Sequence, residues 1–389
     1  MNAADRPVIS PARHAARLEA ARAATRANGL DALLVGVGPD LQYLTGYLAM
    51  PLERLTMLVL SSRGAAIVVP RLERGATEAG VSGDVEIVTF EEGADPYGLV
   101  TSRLDDGHAG VATIAVSDRL WATHLLEIQA AIGRDARFRS SSISVASSVL
   151  RELRMVKDAE EIELLRLAAH AADRVVAQIA GGRLVGRTEA DVAREVRDRL
   201  LAEGHETAAF AIVGSGPNSA SPHHEASERV IQAGEPIVLD IGGSLSGYGS
   251  DITRTLWVTG GDANKGPDET FRHLFGVLYT AQTAATAAVR PGVACEEVDA
   301  AARRIIDAEG YGEAFFHRTG HGIGLEEHED PYLIAGNAEP LAPGMAFSVE
   351  PGIYLVGRYG ARIEDIVVCG PDGPIALNEA PRELYVVDG

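Results

Sequence analysis

The chain has 389 residues and carries 35 Lys and Arg against 55 Asp and Glu, which gives a formal charge of −20. This excess of negative charge repels phosphates, so we predict that the protein has no nucleic-acid partner. A content of 46% hydrophobic and 23% charged residues is typical of globular proteins and excludes a mainly disordered chain. At roughly 150 residues per domain, the length indicates two or three domains.

Cysteine usage and the start of the chain bear on the compartment. Cys295 and Cys369 are the two cysteines, too few for a disulfide framework, which favours a reducing environment. The first ten residues, MNAADRPVIS, lack the apolar stretch of a secretory signal. No later apolar run approaches the ~20 residues that a membrane span needs. We therefore expect a soluble, cytoplasmic protein without a membrane partner.

The first part of the chain has the pattern of an α/β domain. Ser10 and Pro11 are typical of a helix start, and an Ala-rich stretch follows until Gly29, which suits a helix end. The runs DALLVGV, LTMLVL, AAIVVP and VEIVTF have the composition of strands, and SSRG between the second and third predicts a hairpin turn. We assign residues 1–150 to this domain.

The composition shifts near residue 150, where the second domain, 151–389, is predicted to begin. Asp158 is placed to cap a helix that ends at Gly181, and a second helix is expected from Thr188 to Gly204. Further helices are expected over 270–289 and 295–310. The predicted fold class is mixed α/β (α+β), in two domains.

Four acidic residues of the second domain stand in strand-like contexts. In EPIVLDIGGSLSGYGSDITRTLWV, which reads as a hairpin, Asp240 and Asp251 are expected to face each other at roughly 5 Å. The alternative is that both flank a turn and point into solvent. Glu350 and Glu364 each interrupt an apolar run, which is costly unless the charge is paired or bound to metal. Like charges this close need a proton or cations between them.

His321 adds an imidazole to these carboxylates. It lies in RTGHGIG, where glycines allow the backbone to pass close to a site. One imidazole with several carboxylates is a hard ligand set that favours Mn²⁺, with Co²⁺, Fe²⁺ or Zn²⁺ as alternatives. Two such ions would acidify a shared water for hydrolysis of a carbonyl compound, and Glu350 is the expected acceptor of the water proton.

Six ordered motifs then identify a resemblance. PHHEAS, VLDIGG, GSDITRT, HRTGHGIGLEEHEDPY, SVEPGIY and RIEDIV resemble the M24 metallopeptidases, the pita-bread family of aminopeptidase P and prolidase. GLDALLV and YLTGY near the amino terminus resemble the creatinase-like domain that precedes it in Xaa-Pro peptidases. The resemblance implies two divalent metal ions, bridged by Asp251 and Glu364, with Glu350 as proton shuttle. The five implied metal ligands are Asp240, Asp251, His321, Glu350 and Glu364.

The resemblance also implies residues around the substrate. His223 and His328 match histidines that line the pocket and donate hydrogen bonds to the scissile region. His317 is either a substrate contact or a structural histidine, and His224 is expected on the surface or behind the site. Two further side chains lie on expected strands. Arg362 is expected to act as an orienting group, and Tyr354 is expected to form part of the pocket wall.

The preferred substrate depends on a partner for the substrate carboxylate. EDPYLIAGNAEPLAPGMAFSV, between His328 and Glu350, contains no Lys or Arg, so Arg54 and Arg358 are the candidates. We predict an Xaa-Pro dipeptidase (prolidase) that acts on short proline-containing peptides. The alternatives are an aminopeptidase P on longer peptides, a hydrolase of a non-peptide amide, and a non-catalytic binding scaffold. Family habit implies a homodimer.

Overall fold

The structure is a computed structural model that describes residues 7–105 and 110–389. The described chain forms two compact units: residues 9–154, and residues 155–389 with Pro7 and Val8. Residues 1–6, part of the stretch searched for a signal sequence, lie outside the described residues. No helix in the described ranges is long and apolar enough to cross a lipid bilayer.

Unit 9–154 contains a mixed sheet of six strands. They are β1 (Ala32–Gly36), β2 (Met57–Ser61), β3 (Gly64–Pro70), β4 (Glu86–Phe90), β5 (Val111–Val116) and β6 (Ser140–Val145). The order is β4-β3-β2-β1-β5-β6. Strand β2 runs antiparallel to β1 and β3, whereas the other neighbours are parallel. The predicted hairpin turn at SSRG is confirmed by the pairing of Ser61 with Gly64.

Six helices accompany this sheet. They are α1 (Pro11–Ala27), α2 (Pro39–Thr45), α3 (Arg74–Gly80), α4 (Pro96–Thr101), α5 (Ala122–Arg134) and α6 (Ser147–Met155). The predicted start of α1 is confirmed, because the Ser10 hydroxyl accepts from the Arg13 amide and Pro11 takes the first helical position. Gly29, just past the end of α1, has a φ of 69°, which a glycine adopts without strain.

Unit 155–389 has four α-helices. They are α7 (Ala159–Ala180), α8 (Glu189–Ala202), α9 (Glu269–Ala288) and α10 (Cys295–Ala308). All four were predicted, and their ends lie within two residues of the expected ones. Asp158 caps α7 in a capping box with Glu161, which satisfies amides of the first turn from both sides.

The strands of this unit form two sheets and a hairpin. They are β7 (Thr207–Ser215), β8 (Glu235–Leu245), β9 (Tyr248–Val258), β10 (Gly320–Gly322), β11 (Glu329–Leu333), β12 (Ala346–Val349), β13 (Gly352–Leu355), β14 (Tyr359–Arg362), β15 (Asp365–Cys369), β16 (Pro374–Ala376) and β17 (Tyr385–Val387). The sheet orders are β17-β9-β8-β7 and β11-β10-β12-β15-β16, and β13 pairs with β14. Helices α7 and α8 share an apolar core with the first sheet, and α9 and α10 share one with the second.

The β8–β9 hairpin has a register that corrects one expectation. Its turn has two residues, 246–247, both at positive φ (51° and 82°). This turn pairs Asp240 with Thr253 rather than with Asp251, so the prediction of two directly opposed aspartates was wrong. Because Thr253 and Asp251 are two positions apart on one strand, Asp240 and Asp251 still lie on the same face of the sheet.

Candidate metal centre

Three buried side chains converge between the two sheets of unit 155–389. Asp251 lies on β9, His321 on β10, and Glu364 between β14 and β15. Each offers one ligand atom, and these atoms all lie within 4.8 Å of one another. A β-bridge between Thr253 and Glu364 joins the strand of Asp251 to the segment of Glu364. The two carboxylates and the imidazole are thus held by backbone pairing as well as by packing.

Glu350, immediately after β12, completes this group through His321. Its Oε1 lies 3.2 Å from His321 Nε2. Ser348 ties the two together, because its hydroxyl donates to Glu350 Oε1 at 3.1 Å and accepts from the His321 amide at 3.0 Å. His321 Nδ1 lies 3.2 Å from the Gly322 carbonyl, which leaves Nε2 as the ring nitrogen on the side of the carboxylates.

Asp240 is held by Arg362 at one oxygen. Its Oδ2 accepts a hydrogen bond from Arg362 Nη2, while the buried Oδ1 has no hydrogen-bond partner within the residues that the structure describes. Arg362 Nε also donates to Thr253 Oγ1 at 3.0 Å, and Thr253 Oγ1 donates to Glu364 Oε2 at 2.7 Å. Arg362 therefore orients Asp240 directly and Glu364 through one hydroxyl.

The carboxylates of the site have strongly shifted pKa values. Burial, and then the charge of Glu364, raises the pKa of Asp251 well above its usual range. Burial, and then the charge of Glu350, does the same to the pKa of Glu364. Burial also raises the pKa of Asp240. Burial opposes ionisation of Glu350 too, but its hydrogen bond with His321 and the charge of His321 hold its pKa at about 2.

This donor set fits divalent cations. Several carboxylates in one buried space repel one another, and cations between them relieve that repulsion. The unpartnered Asp240 Oδ1 and His321 Nε2, the ring nitrogen that faces the carboxylates, are further donor atoms in the same space. Carboxylate oxygens with one imidazole are the ligands of hard or borderline divalent metals. The residues that would hold the metal are Asp240, Asp251, His321, Glu350 and Glu364.

A chain of hydrogen bonds runs outward from Arg362. Its Nη1 donates to the Tyr354 hydroxyl at 2.8 Å, and that hydroxyl lies 3.0 Å from His317 Nε2. Burial lowers the pKa of His317 and raises that of Tyr354 to about 12. Neutral His317 then donates from Nδ1 to the Arg318 carbonyl, at 2.7 Å, and accepts from Tyr354. Both ring nitrogens of His317 are therefore engaged within the protein.

Two exposed histidines stand beside the centre. The ring of His328 lies 4.0 Å from that of His321, centroid to centroid. Burial, and then the positive charge of His321, lowers the pKa of His328 to about 4, so its ring is neutral at pH 7. His223 is exposed and follows Pro222, whose carbonyl accepts from Arg362 Nη2 at 3.4 Å. The charge of His223 also lowers the pKa of His328, so the two histidines stand close to each other.

Glu189, which the sequence analysis did not single out, anchors the segment that carries His223. It is fully buried at the first turn of α8. Burial alone would raise its pKa, but hydrogen bonds hold that pKa at about 2. The donors come from the segment 215–227, and they are Ser215, Asn218, His224 and Ser227. An acidic residue after a helix cap is common, so no sequence signal marked this one.

The two arginines considered for the substrate carboxylate have other partners. Arg54 belongs to unit 9–154, where its guanidinium pairs with Glu53 at 2.7 Å and with Glu92 at 3.0 Å. Arg358 is exposed in the turn after β13 and lies over the ring of Tyr359, 5.1 Å from its centroid. Both guanidinium groups are therefore engaged by neighbours within their own units.

Comparison with known proteins extends these observations to the whole chain. The sequence profile of metallopeptidase family M24 matches residues 163–371, and that of the creatinase/prolidase N-terminal domain matches residues 17–156. The chain is 48% identical over 378 residues to a probable dipeptidase PepE of Mycobacterium tuberculosis, covering 96% of either protein. It is 33% identical over 366 residues to an Xaa-Pro dipeptidase of Lactobacillus delbrueckii subsp. lactis, covering 92% of this chain and 96% of that one.

A solved structure has the same fold. The crystal structure of dipeptidase PepE from Mycobacterium ulcerans is 46% identical and superimposes with a TM-score of 0.89, covering 98% of this chain and all (100%) of that one. The mixed α/β fold with a pita-bread unit is therefore confirmed. The five ligand candidates all lie within the matched residues 163–371. The chain belongs to metallopeptidase family M24.

Proposed function

We propose that this metallopeptidase hydrolyses the Xaa-Pro bond of dipeptides. The observation that carries the proposal is the buried group of carboxylates around His321, which suits divalent cations and has the exposed His328 beside it. The amide before proline has no N–H and a restricted shape, so peptidases that hold an extended backbone bind it poorly. Cleavage of the bond before proline therefore requires a site dedicated to it, such as the one described here.

The preference for dipeptides rests on relatives. The Lactobacillus delbrueckii protein is named an Xaa-Pro dipeptidase and the mycobacterial proteins are named dipeptidases, and both likenesses extend over nine-tenths of this chain. Aminopeptidase P activity on longer peptides, hydrolysis of a non-peptide amide, and a non-catalytic scaffold are the outcomes against which this proposal is tested.

We further propose two metal ions, with Mn²⁺ preferred over Co²⁺, Fe²⁺ or Zn²⁺. Asp251 and Glu364 would bridge the ions, because their ligand atoms lie together with that of His321. Asp240 would complete one side of the centre, whereas Glu350 and His321 would complete the other. When bound, the cations supply Lewis acidity, which acidifies water and stabilises negative charge on the carbonyl oxygen.

Glu350 is the proposed proton carrier of the reaction. Its pKa of about 2 keeps the carboxylate ionised at pH 7, so it can accept a proton from the attacking water and release it to the proline nitrogen that leaves. Neutral His328 donates a hydrogen bond to the scissile region, and His223 does the same from the opposite segment. Tyr354 and Arg362 hold the pocket wall and the Asp240 carboxylate in place.

The division of labour along the chain is part of the proposal. Residues 151–389 would act as the catalytic domain, and residues 1–150 as a creatinase-like domain; the match of two separate profiles supports this division. The homodimer and the cytoplasmic location stay predictions.

The experiment that tests the function compares Ala-Pro with Ala-Pro-Ala. The protein is first stripped with chelator, and then kcat/KM is measured for each peptide with Mn²⁺, Co²⁺, Fe²⁺ or Zn²⁺. We expect Mn²⁺-dependent cleavage of Ala-Pro, with the tripeptide slower by at least about tenfold. Preference for the tripeptide would instead assign aminopeptidase P activity.

The control for this assay is the variant Asp251→Asn under the same conditions. It removes a bridging ligand and excludes a contaminating peptidase as the source of turnover. If no Xaa-Pro peptide is cleaved with any of the four metals, a non-peptide amide becomes the substrate to seek. If the stripped protein binds none of the four metals, the result would support the non-catalytic scaffold.

A further inference from the structure

Two charged side chains of helix α10, Asp299 and Arg303, contact the segment 315–319 that precedes His321. They lie four residues apart on the helix and form a bidentate pair, with Arg303 Nε and Nη2 at 3.0 and 2.9 Å from the two Asp299 oxygens. Asp299 is 1% exposed. Neither residue belongs to the ligand set or to the pocket described above.

Arg303 holds two carbonyl groups of this chain. Its Nη1 donates to the Phe315 carbonyl and its Nη2 to the His317 carbonyl, both at 2.9 Å. The guanidinium also lies over the ring of Phe315, 4.2 Å from the centroid, a favourable cation–π arrangement. The planar fork of arginine suits this task, because it presents several donors in fixed directions.

Asp299 holds the next alternate position, Thr319. Its Oδ1 accepts from the Thr319 hydroxyl at 2.8 Å and from the Thr319 amide at 3.1 Å. Residues 315, 317 and 319 are therefore each tied to α10 immediately before β10. Because Thr319 is completely buried, these polar groups have no access to water as an alternative partner.

The same segment is joined to the catalytic groups. The Thr319 carbonyl accepts a hydrogen bond from the Glu350 amide at 2.8 Å. His317, whose carbonyl Arg303 holds, carries the ring that accepts from Tyr354. A shift of the segment 315–319 would therefore move the proton carrier and the ring that supports the pocket wall together.

We propose that Asp299 and Arg303 are a positioning pair that fixes the main chain of residues 315–319 and thereby sets the places of Glu350 and His317. The proposal rests on the proposed function for its catalytic readout. Misplacement of a reacting group by about 1 Å can cost on the order of a hundredfold in rate, so a pair that touches no ligand and no substrate can still govern turnover.

The test compares Arg303→Met with Arg304→Met in Mn²⁺-loaded protein. Arg304 is a matched control: it lies on the same helix, and its guanidinium pairs with exposed Glu297 at 3.1 Å. We expect kcat per bound metal to fall by roughly tenfold to a hundredfold in Arg303→Met, with the metal content unchanged. Arg304→Met should keep the wild-type kcat, and Arg303→Lys, which keeps the charge but not the fork, should be intermediate.

Hydrogen exchange supplies a readout that needs no substrate. Amides in peptides covering 315–321 and 348–352 should exchange faster in Arg303→Met, but not in Arg304→Met. Unchanged exchange in both peptides, or a kcat per bound metal within about twofold of wild type, would overturn the proposal. If the wild type cleaves no Xaa-Pro peptide, the proposed function fails while the exchange comparison still decides this inference.

A second variant covers the case in which Arg303→Met does not fold because Asp299 is left buried and unpaired. The double variant Asp299→Asn with Arg303→Met removes both charges and keeps the side-chain volumes close. We expect the same loss of kcat and the same faster exchange. A merely structural role would lower the melting temperature and leave kcat per bound metal unchanged.

Discussion

Arg362 donates a hydrogen bond from Nη1 to the hydroxyl of Tyr354, 2.8 Å away, and the same guanidinium holds Asp240. One buried cation therefore serves both a candidate metal ligand and the pocket wall. Burial raises the pKa of Tyr354 to about 12, so the phenol stays protonated and can donate onward to His317. Removing that hydroxyl separates the two roles of Arg362.

Tyr354→Phe is expected to lower kcat/KM for an Xaa-Pro dipeptide by roughly tenfold, since a hydrogen bond to a charged group contributes about 1.5–3 kcal/mol. Metal content, measured by elemental analysis, should stay at the wild-type level because Asp240 keeps its bond to Arg362. Tyr359→Phe is the control on the neighbouring strand, since its hydroxyl contacts Arg358 at the surface, and should change kcat/KM by less than about twofold. Loss of metal in Tyr354→Phe would contradict this separation of roles.

Asp251→Asn and Glu364→Gln are each expected to lose bound metal and nearly all activity. Each replaces a buried carboxylate that would bridge two cations with a neutral amide. Bound metal and kcat are measured on the same preparation. Asp372→Asn, a change at an exposed turn, should keep both. Full turnover in either bridging variant would exclude the dinuclear centre.

His223→Ala is expected to keep its metal and to lose about tenfold to a hundredfold in kcat/KM, because it removes an exposed imidazole that we propose as a substrate contact and leaves the proposed ligands in place. Metal content and steady-state kinetics are measured together. His273→Ala is the control, since that histidine is exposed on α9 and lies near Glu309. If His223→Ala loses metal, the residue belongs among the ligands.

Removal of the metal should make stability depend on pH in a defined direction. Burial and mutual repulsion raise the pKa values of Asp251 and Glu364 above their unfolded values. A carboxyl raised in this way binds its proton more tightly in the folded state, so its stabilising contribution is present below the unfolded pKa and is lost as pH rises through the folded pKa. The melting temperature of chelated protein should therefore fall as the pH rises above the ordinary carboxyl pKa of about 4.

Mn²⁺ should restore the melting temperature at pH 8, because cations then replace the protons between the carboxylates. Asp251→Asn, measured without metal, should show a shallower fall with pH than the wild type. Equal pH slopes with and without metal would contradict the explanation from these two carboxyls.

Glu189→Gln tests the anchor of the His223 segment. The pKa of Glu189 drops from 4.5 to about 2, which corresponds to about 3 kcal/mol at pH 7. A lowered carboxyl pKa gives stability that is present above the unfolded value and is lost as pH falls from about 4.5 towards 2. The difference in urea unfolding free energy between wild type and Glu189→Gln should therefore narrow across that range.

The control for this change is Glu225→Gln, an exposed carboxyl on the same segment. It should leave the free energy of unfolding within about 0.5 kcal/mol of wild type at every pH. A constant difference between wild type and Glu189→Gln from pH 7 to pH 3 would show that the carboxylate charge is not what stabilises the anchor.

Local chemistry made much of this fold predictable. Ser10 and Asp158 have helix-capping side chains and do cap helices, and the alternating runs of the first unit are strands. The acids inside apolar runs were recognisable because burying an unpaired charge is costly. His321 stood out through its glycine-rich surroundings.

The remaining features depend on tertiary contacts that local patterns do not carry. The offset of Asp240 from Asp251 follows from the turn length, which a Gly- and Ser-rich stretch leaves open. Glu189 and Arg303 have ordinary positions on helices. The side-chain hydrogen-bond partners of Glu189 lie 26 or more residues away along the chain, and the carbonyls that Arg303 holds lie 12 and 14 residues away. Sequence spacing does not reveal which helix face meets which loop.

The two-residue turn 246–247 restricts insertions and deletions in the β8–β9 hairpin. An insertion or deletion of one residue on one side of the β8–β9 ladder turns every side chain beyond it to the opposite face. Asp240 would then point into the apolar core beneath α7 and α8, while Asp251 stayed with His321. Loops elsewhere on the surface can gain residues at little thermodynamic cost. In the β8–β9 hairpin, by contrast, a single inserted residue would separate Asp240 from the other candidate metal ligands.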